Sequence, residues 1–207
     1  MQCAELSATE WPYQGLLFSP STPDPQQRVL VYLHGAGERG EDLSLLTRYG
    51  LPALLAGGAL ALDFAVLCPQ TAAGQDWQIP QLCALLDQLK QQGKTVLLVG
   101  YSLGALAITD LLAHTHAECA GYLVIAGQAR MSPLPLSVGS AAILTVQGDL
   151  DDWADTRQWL AQLQAQGHAA SAVVLSGAGH FISELIYQQP AILRWLNARG
   201  FGWPVPQ

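Results

Sequence analysis

Positive charge is scarce in this chain. Lys90 and Lys94 are its only lysines, and lysine plus arginine number 9 against 16 acids, for a formal net charge of −7. A protein that grips nucleic acid or an anionic membrane needs basic side chains for the phosphates, so neither partner is expected. Long apolar runs are missing too. None reaches the roughly 18–20 residues of a spanning helix, so no membrane span is expected. The opening Met1-Gln-Cys-Ala-Glu-Leu6 has no basic n-region and no long apolar stretch, unlike a secretion signal. Cysteine is sparse. Cys3, Cys68, Cys83 and Cys119 show neither metal-ligand spacing nor the density of a disulfide scaffold. Reduced thiols in a cytoplasmic protein are the expectation.

Apolar residues are abundant instead, at 50% of the 207, with only 12% charged. A chain of this length can bury roughly 70% of its unfolded surface without staples, and a single domain over residues 1–207 is expected. Short β-branched runs recur at Val29–Leu33, Ala65–Cys68, Thr95–Val99, Tyr122–Ala126, Ile143–Gln147 and Ala172–Leu175. They lack polar alternation, which predicts parallel strands buried on both faces. Tyr13–Phe18 adds a candidate edge strand.

Helical patterns separate these runs. Leu82, Leu85, Leu86 and Leu89 share a face that ends at Gly93. Leu103–Leu112 is apolar nearly all round, and Trp153, Thr156, Leu160 and Leu163 form another face before Gly167. Pro190 within Ser183–Arg199 is placed to open a second helical segment. The alternation predicts a three-layer α/β/α fold with a mostly parallel central sheet of six or seven strands. No segment is long enough for a large lid domain, and Gln128–Ser140 is the longest candidate for a mobile loop.

The most informative segment is Gly100-Tyr-Ser-Leu-Gly104, between the run Thr95–Val99 and the helical stretch from Ala105. Strand, small-x-Ser-x-small, then helix is the pattern of a nucleophile elbow. A serine on so tight a turn is strained, and glycine flanks let neighbouring backbone approach without a Cβ clash. Its Oγ is then held clear of the sheet, before the N–H groups of the helix's first turn.

A serine alcohol needs a positioned base, usually histidine oriented by a carboxylate. Of five histidines, His180 stands in Ser176-Gly-Ala-Gly-His180, directly after the last strand run. Catalytic groups collect at such carboxyl ends of strands. His114 and His116 close a helix without sharing a face, and His168 falls in a helix-to-strand connection. The acid is expected between serine and histidine, where Gly148-Asp-Leu-Asp-Asp152 follows a strand and offers Asp149, Asp151 and Asp152. At least one of these is expected to be only a helix cap. An oxyanion hole needs backbone donors. The N–H of Leu103 supplies one, and the loop Leu33-His-Gly-Ala-Gly37 is placed to supply another. The charges of Glu38-Arg-Gly-Glu-Asp42 are expected to pair with each other on the surface.

Together, His34-Gly-Ala-Gly-Glu-Arg-Gly40, Cys68-Pro-Gln70 with Trp77, Gly100–Gly104, Gly148–Asp152 and Gly177-Ala-Gly-His180 resemble the small α/β-hydrolases. The resemblance covers about residues 28–198 and is nearest the carboxylesterase and acyl-protein-thioesterase branch, with related prolyl-oligopeptidase and dienelactone-hydrolase esterase domains. It implies Asp151 as the acid, three residues after the motif glycine, and the N–H of Ala36 as the second oxyanion donor. The chain departs from relatives that carry Met-Gly-Gly after the serine, having Leu103-Gly-Ala105. It also has Trp153-Ala-Asp155 where Val-Val-Pro is common. The expectation is a serine hydrolase acting on a small-molecule acyl ester or thioester through Ser102, Asp151 and His180, with no cofactor and no metal. Rival expectations are a lactone or amide hydrolase, or a noncatalytic binding module of the same fold.

Overall fold

A computed structural model describes residues 1–114, 118–129 and 139–204. Residues 130–138 of the loop expected over Gln128–Ser140 lie outside the described residues, as does His116.

The apolar runs become strands because their β-branched residues suit a pleated surface with two covered faces. Among the described residues eight strands form one sheet: β1 (Gln2–Leu6), β2 (Gly15–Ser19), β3 (Arg28–Leu33), β4 (Ala65–Pro69), β5 (Thr95–Tyr101), β6 (Gly121–Ile125), β7 (Ala142–Gly148) and β8 (Ala170–Leu175). Their spatial order is β1-β2-β4-β3-β5-β6-β7-β8. From β4 through β8 all neighbours run parallel, while β2 is antiparallel to both β1 and β4.

This is the expected mostly parallel sheet, with one strand more than the sequence suggested. The addition is β1, whose Gln2-Cys-Ala-Glu-Leu6 is almost wholly exposed and carries no buried-strand signature. It is held by backbone pairing to β2 at the edge. β8 corrects a second expectation. Its apolar composition implied burial on both faces, yet it is half-exposed, because an edge strand has a neighbour on one side only.

Among the described residues five helices cover the sheet: α1 (Gly50–Ala56), α2 (Ile79–Gln91), α3 (Leu103–His114), α4 (Arg157–Ala165) and α5 (Pro190–Asn197). The alternation of side chains along each strand sorts the core into two layers. Val29, Val31 and Leu33 of β3 pack with α2, α3 and α4, whereas Leu30 and Tyr32 pack with α1 and α5. Gly93 takes φ +71° just after α2, and Pro190 opens α5, both as the sequence implied.

The face read through Trp153, Thr156, Leu160 and Leu163 needs correction. α4 begins only at Arg157 and buries Trp159 and Leu163, while Thr156 is the buried residue before it. Trp153 lies outside the helix and is 68% exposed. The four positions fit a helical period, but Thr156 bonds instead to the Gln147 side chain, through its N–H at 3.0 Å and its hydroxyl at 2.8 Å. That interaction holds 153–156 as a loop. Gln147 is the penultimate residue of β7, so the loop is anchored to the strand that leads to the acidic residues.

Candidate active site

The sheet brings the expected residues to its carboxyl edge. β5 ends at Tyr101, Ser102 takes φ +52°, and α3 starts at Leu103. That left-handed conformation costs a non-glycine residue about 1–3 kcal/mol and persists only where the surroundings fix it. Two glycines allow it. A Cβ on Gly100 would lie 2.3 Å from the Gly104 carbonyl oxygen, and one on Gly104 would lie 2.0 Å from the Leu33 oxygen. The Ser102 N–H donates to the Ile125 carbonyl at 2.9 Å, which ties the turn to β6.

Two neighbouring strand ends supply the partners. His180 Nε2 is 2.9 Å from Ser102 Oγ, and His180 Nδ1 is 2.8 Å from Asp151 Oδ2. The Asp151 side chain is fully buried and that of His180 is 11% exposed. With the proton on Nδ1, the ring donates to the carboxylate and presents a lone pair to the serine. Asp151 Oδ1 accepts the N–H groups of Trp153 at 2.9 Å and Ala154 at 3.1 Å. Its carboxylate is thus fixed through both oxygens.

The other acids do different work. Asp149 accepts the Gly177 N–H at 2.7 Å and the Ser176 hydroxyl at 3.1 Å, clamping the loop that carries His180. Asp152 is exposed. None of the three caps α4, which begins too far downstream, so the expected helix cap is corrected to loop-tying roles for Asp149 and Asp151. The close approach of the two loops needs Gly148, where a Cβ would lie 2.0 Å from the Ala178 oxygen.

The loop after β3 turns through a short 3-10 segment, Ala36–Glu38. Ala36 is its first residue and Leu103 is the first of α3, so neither N–H has an acceptor within its own helix. Both loops border Ser102. His34 anchors the first loop from inside. Its Nδ1 donates to the Gly35 carbonyl at 2.6 Å, its Nε2 accepts the Thr71 N–H at 3.1 Å, and the Trp77 indole donates to its carbonyl at 3.3 Å. Burial drives its pKa down to about 4, leaving a neutral ring. Gln70 braces the far side, donating to the Glu38 and Asp42 carbonyls at 2.9 Å each. The Cys68-Pro-Gln70 and Trp77 signals therefore act by shaping this loop.

Glu38 overturns the expectation of a surface charge pair. Arg39 instead binds Asp76 at 2.7 Å, while Glu38 is only 3% exposed. Burial pushes its carboxyl up to about 7, partly offset by the backbone N–H groups of Glu38 and Gly35. Its short distance in sequence from three charged residues hid this, since burial depends on what packs over the loop.

Beside Ser102 and His180 lies a cavity of about 780 Å³, walled by Ala36, Glu38, Tyr49, Tyr101, Trp153 and Phe181, among others. Tyr101 donates its hydroxyl to the His180 carbonyl at 3.2 Å. Trp153 lies 5.0 Å from the His180 ring and 5.8 Å from Phe181, centroid to centroid. The sequence reading missed this aromatic wall. Its one signal was adjacency, since Tyr101 and Phe181 directly flank Ser102 and His180. His114 bonds the Asp110 carbonyl at its own helix end, and His168 sits half-buried, both away from the cavity lining.

The family model described as the alpha/beta hydrolase family matches residues 30–148, more than half of the chain. The chain belongs to the alpha/beta hydrolase family. The matched span includes Ala36, Ser102 and Leu103 but stops before Asp151 and His180. No curated protein matches this alpha/beta hydrolase in sequence. Its fold is similar to that of a thermostable esterase, with a TM-score of 0.70 and 17% identity over 95% of this chain and 62% of that one. The chain thus spans under two thirds of that esterase. A carboxylesterase from Mesorhizobium loti gives a TM-score of 0.68 at 15% identity, over 96% of this chain and 99% of its own. A phospholipase/carboxylesterase from Dyadobacter fermentans gives 0.59 at 17%, over 88% and 94%. At these identities the likeness is one of fold. No described helix is long and apolar enough to cross a membrane.

Proposed function

We propose that this alpha/beta hydrolase is a serine esterase that works through an acyl-enzyme. The observation that carries the proposal is the unbroken chain from Ser102 Oγ through His180 to Asp151, with steps of 2.9 and 2.8 Å. Ser102 Oγ attacks the ester carbonyl carbon while His180 Nε2 takes its proton. The tetrahedral oxyanion is held by the N–H groups of Ala36 and Leu103. Collapse expels the alcohol, which receives the proton from His180. Water, deprotonated by His180, then attacks the acyl carbonyl carbon, and as the acid leaves, His180 returns that proton to Ser102 Oγ.

Asp151 holds the imidazole in the required tautomer and stabilises the imidazolium that forms in each half-reaction. The neighbours named as esterases and carboxylesterases favour carboxylic esters as the substrate class. A small-molecule ester suits the open cavity beside Ser102.

A fluorophosphonate probe and p-nitrophenyl esters of graded acyl length test the proposal. The wild-type protein is expected to be labelled at Ser102 and to turn over at least one ester. Ser102→Ala is expected to lose labelling and on the order of 10⁶ in kcat. Near-native turnover by Ser102→Ala would overturn the serine mechanism, and a wild-type protein inert to both probe and esters would favour a binding module.

A further inference from the structure

We infer that the cavity beside Ser102 selects esters bearing a positively charged ammonium group, an inference that rests on the esterase reading above. Its walls combine two features. The first is aromatic: Tyr49, Trp153 and Phe181 are 56%, 68% and 79% exposed, and all three line the cavity. Large aromatic faces left open to solvent around a concave site await a ligand surface. The second is negative charge. Glu38 and Glu184 both line the cavity, and among the described residues no lysine or arginine does.

Glu38 is the decisive group. It is buried to 3% exposure, it forms no ion pair with a cationic side chain among the described residues, and its charge acts on the neighbouring Tyr32 and Tyr101 hydroxyls. A carboxylate in that setting is held at a cost that a neutral ligand raises by displacing water and a cationic ligand relieves. An anionic group, such as the phosphates of a nucleotide-linked thioester, would be repelled. Glu184 sits at the rim, where its carboxylate accepts the Gly50 N–H at 3.3 Å.

The surroundings point the same way. A second cleft of about 450 Å³ adjoins at Trp153 and is lined by Asp149, Asp151, Asp152 and Asp155. Among the described residues Arg157 is the only lysine or arginine lining that cleft, and it is paired with Asp155 at 2.6 Å. With a net charge of −7, the field at this end of the sheet favours approach of cations. Aromatic faces backed by carboxylates are the chemistry that holds quaternary and tertiary ammonium groups, through cation–π attraction and direct charge pairing.

The test compares two esters of one shape, butyrylcholine and 3,3-dimethylbutyl butyrate, which differ in a nitrogen cation against a carbon. At pH 8, where Glu38 is ionised, kcat/KM is expected to favour the choline ester by about tenfold or more. The preference should fall towards parity in Glu38→Gln. Glu184→Gln, at the exposed rim, provides the same readout should Glu38→Gln fail to fold. Calorimetric titration of Ser102→Ala with tetramethylammonium is expected to show saturable binding, which needs no turnover. Equal or reversed preference by an active wild-type enzyme, or absence of tetramethylammonium binding to Ser102→Ala, would overturn this inference and leave the esterase reading intact. Loss of that reading shows separately, as a wild-type protein that binds tetramethylammonium but is neither labelled nor active.

Discussion

The Asp149 carboxylate accepts the Gly177 N–H at 2.7 Å, joining the end of β7 to the loop that presents His180. Asp151, two residues on, reaches His180 itself at 2.8 Å. Two acids just beyond one strand end thus hold the same histidine in different ways, one through its loop and one through its ring.

Their variants should separate accordingly. Asp151→Asn reverses the hydrogen-bond polarity at Nδ1 and is expected to lower kcat by up to about 10⁴, with the fold retained. Asp149→Asn loses acceptor capacity towards the loop and is expected to cost about 1–2 kcal/mol in stability, with a fall in kcat of about tenfold. Ester kinetics and urea denaturation on both variants read the difference. A kinetic loss at Asp149 as large as that at Asp151 would reverse their roles.

The elbow makes a steric prediction. A methyl at Gly104 would meet the Leu33 backbone oxygen at 2.0 Å and its carbonyl carbon at 2.5 Å, both in rigid structure. Gly104→Ala is therefore expected to cost about 3 kcal/mol or more, at the upper end for overpacking. Gly37, where an added Cβ meets nothing within 4 Å, serves as the control. Gly37→Ala should stay within about 0.5 kcal/mol of wild type. Equal denaturation midpoints for the two variants would mean that α3 can move away from β3.

Two buried groups in the same loop give a pH signature. Burial raises the folded pKa of Glu38 from 4.5 to about 7, so the folded state holds an extra proton between those values and stability falls as pH rises through them. His34 is the opposite case. Its folded pKa drops from 6.5 to about 4, so the unfolded state holds the extra proton and stability rises with pH across that window. Each gap corresponds to about 3 kcal/mol, and between about pH 4.5 and 6.5 the two trends oppose one another. Glu38→Gln removes one of them. Its stability relative to wild type is expected to climb from pH 4.5 to 7 by up to about 3 kcal/mol and then level off. Chemical denaturation across pH 4–8 checks this, and a difference that is constant with pH would mean that Glu38 stays ionised throughout.

Much of this protein could be read locally. The runs Thr95–Val99 and Tyr122–Ala126 specify buried strands because β-branched and apolar residues at every position suit a sheet covered on both faces. Gly100 and Gly104 around Ser102 specify the turn, since only residues without a Cβ fit between β3, β5 and α3. Such signals lie within a few residues of one another, where backbone sterics act. Asp149, Asp151, Asp152 and His180 stood out as candidates for a similar local reason, since each closely follows a strand run.

Tertiary structure decided the rest. Ser102 and His180 stand 78 positions apart, and their 2.9 Å approach exists because β5 and the strands beyond it pair in parallel, bringing their carboxyl ends to one edge. Which of Asp149, Asp151 and Asp152 faces the histidine depended on the path of a loop held by Gln147 and Thr156, not on their types. The burial of Glu38, the edge position of β1 and the exposure of Trp153 are likewise properties of what packs around them. Charge state and solvent access are set by neighbours distant in sequence, and no local pattern encodes them.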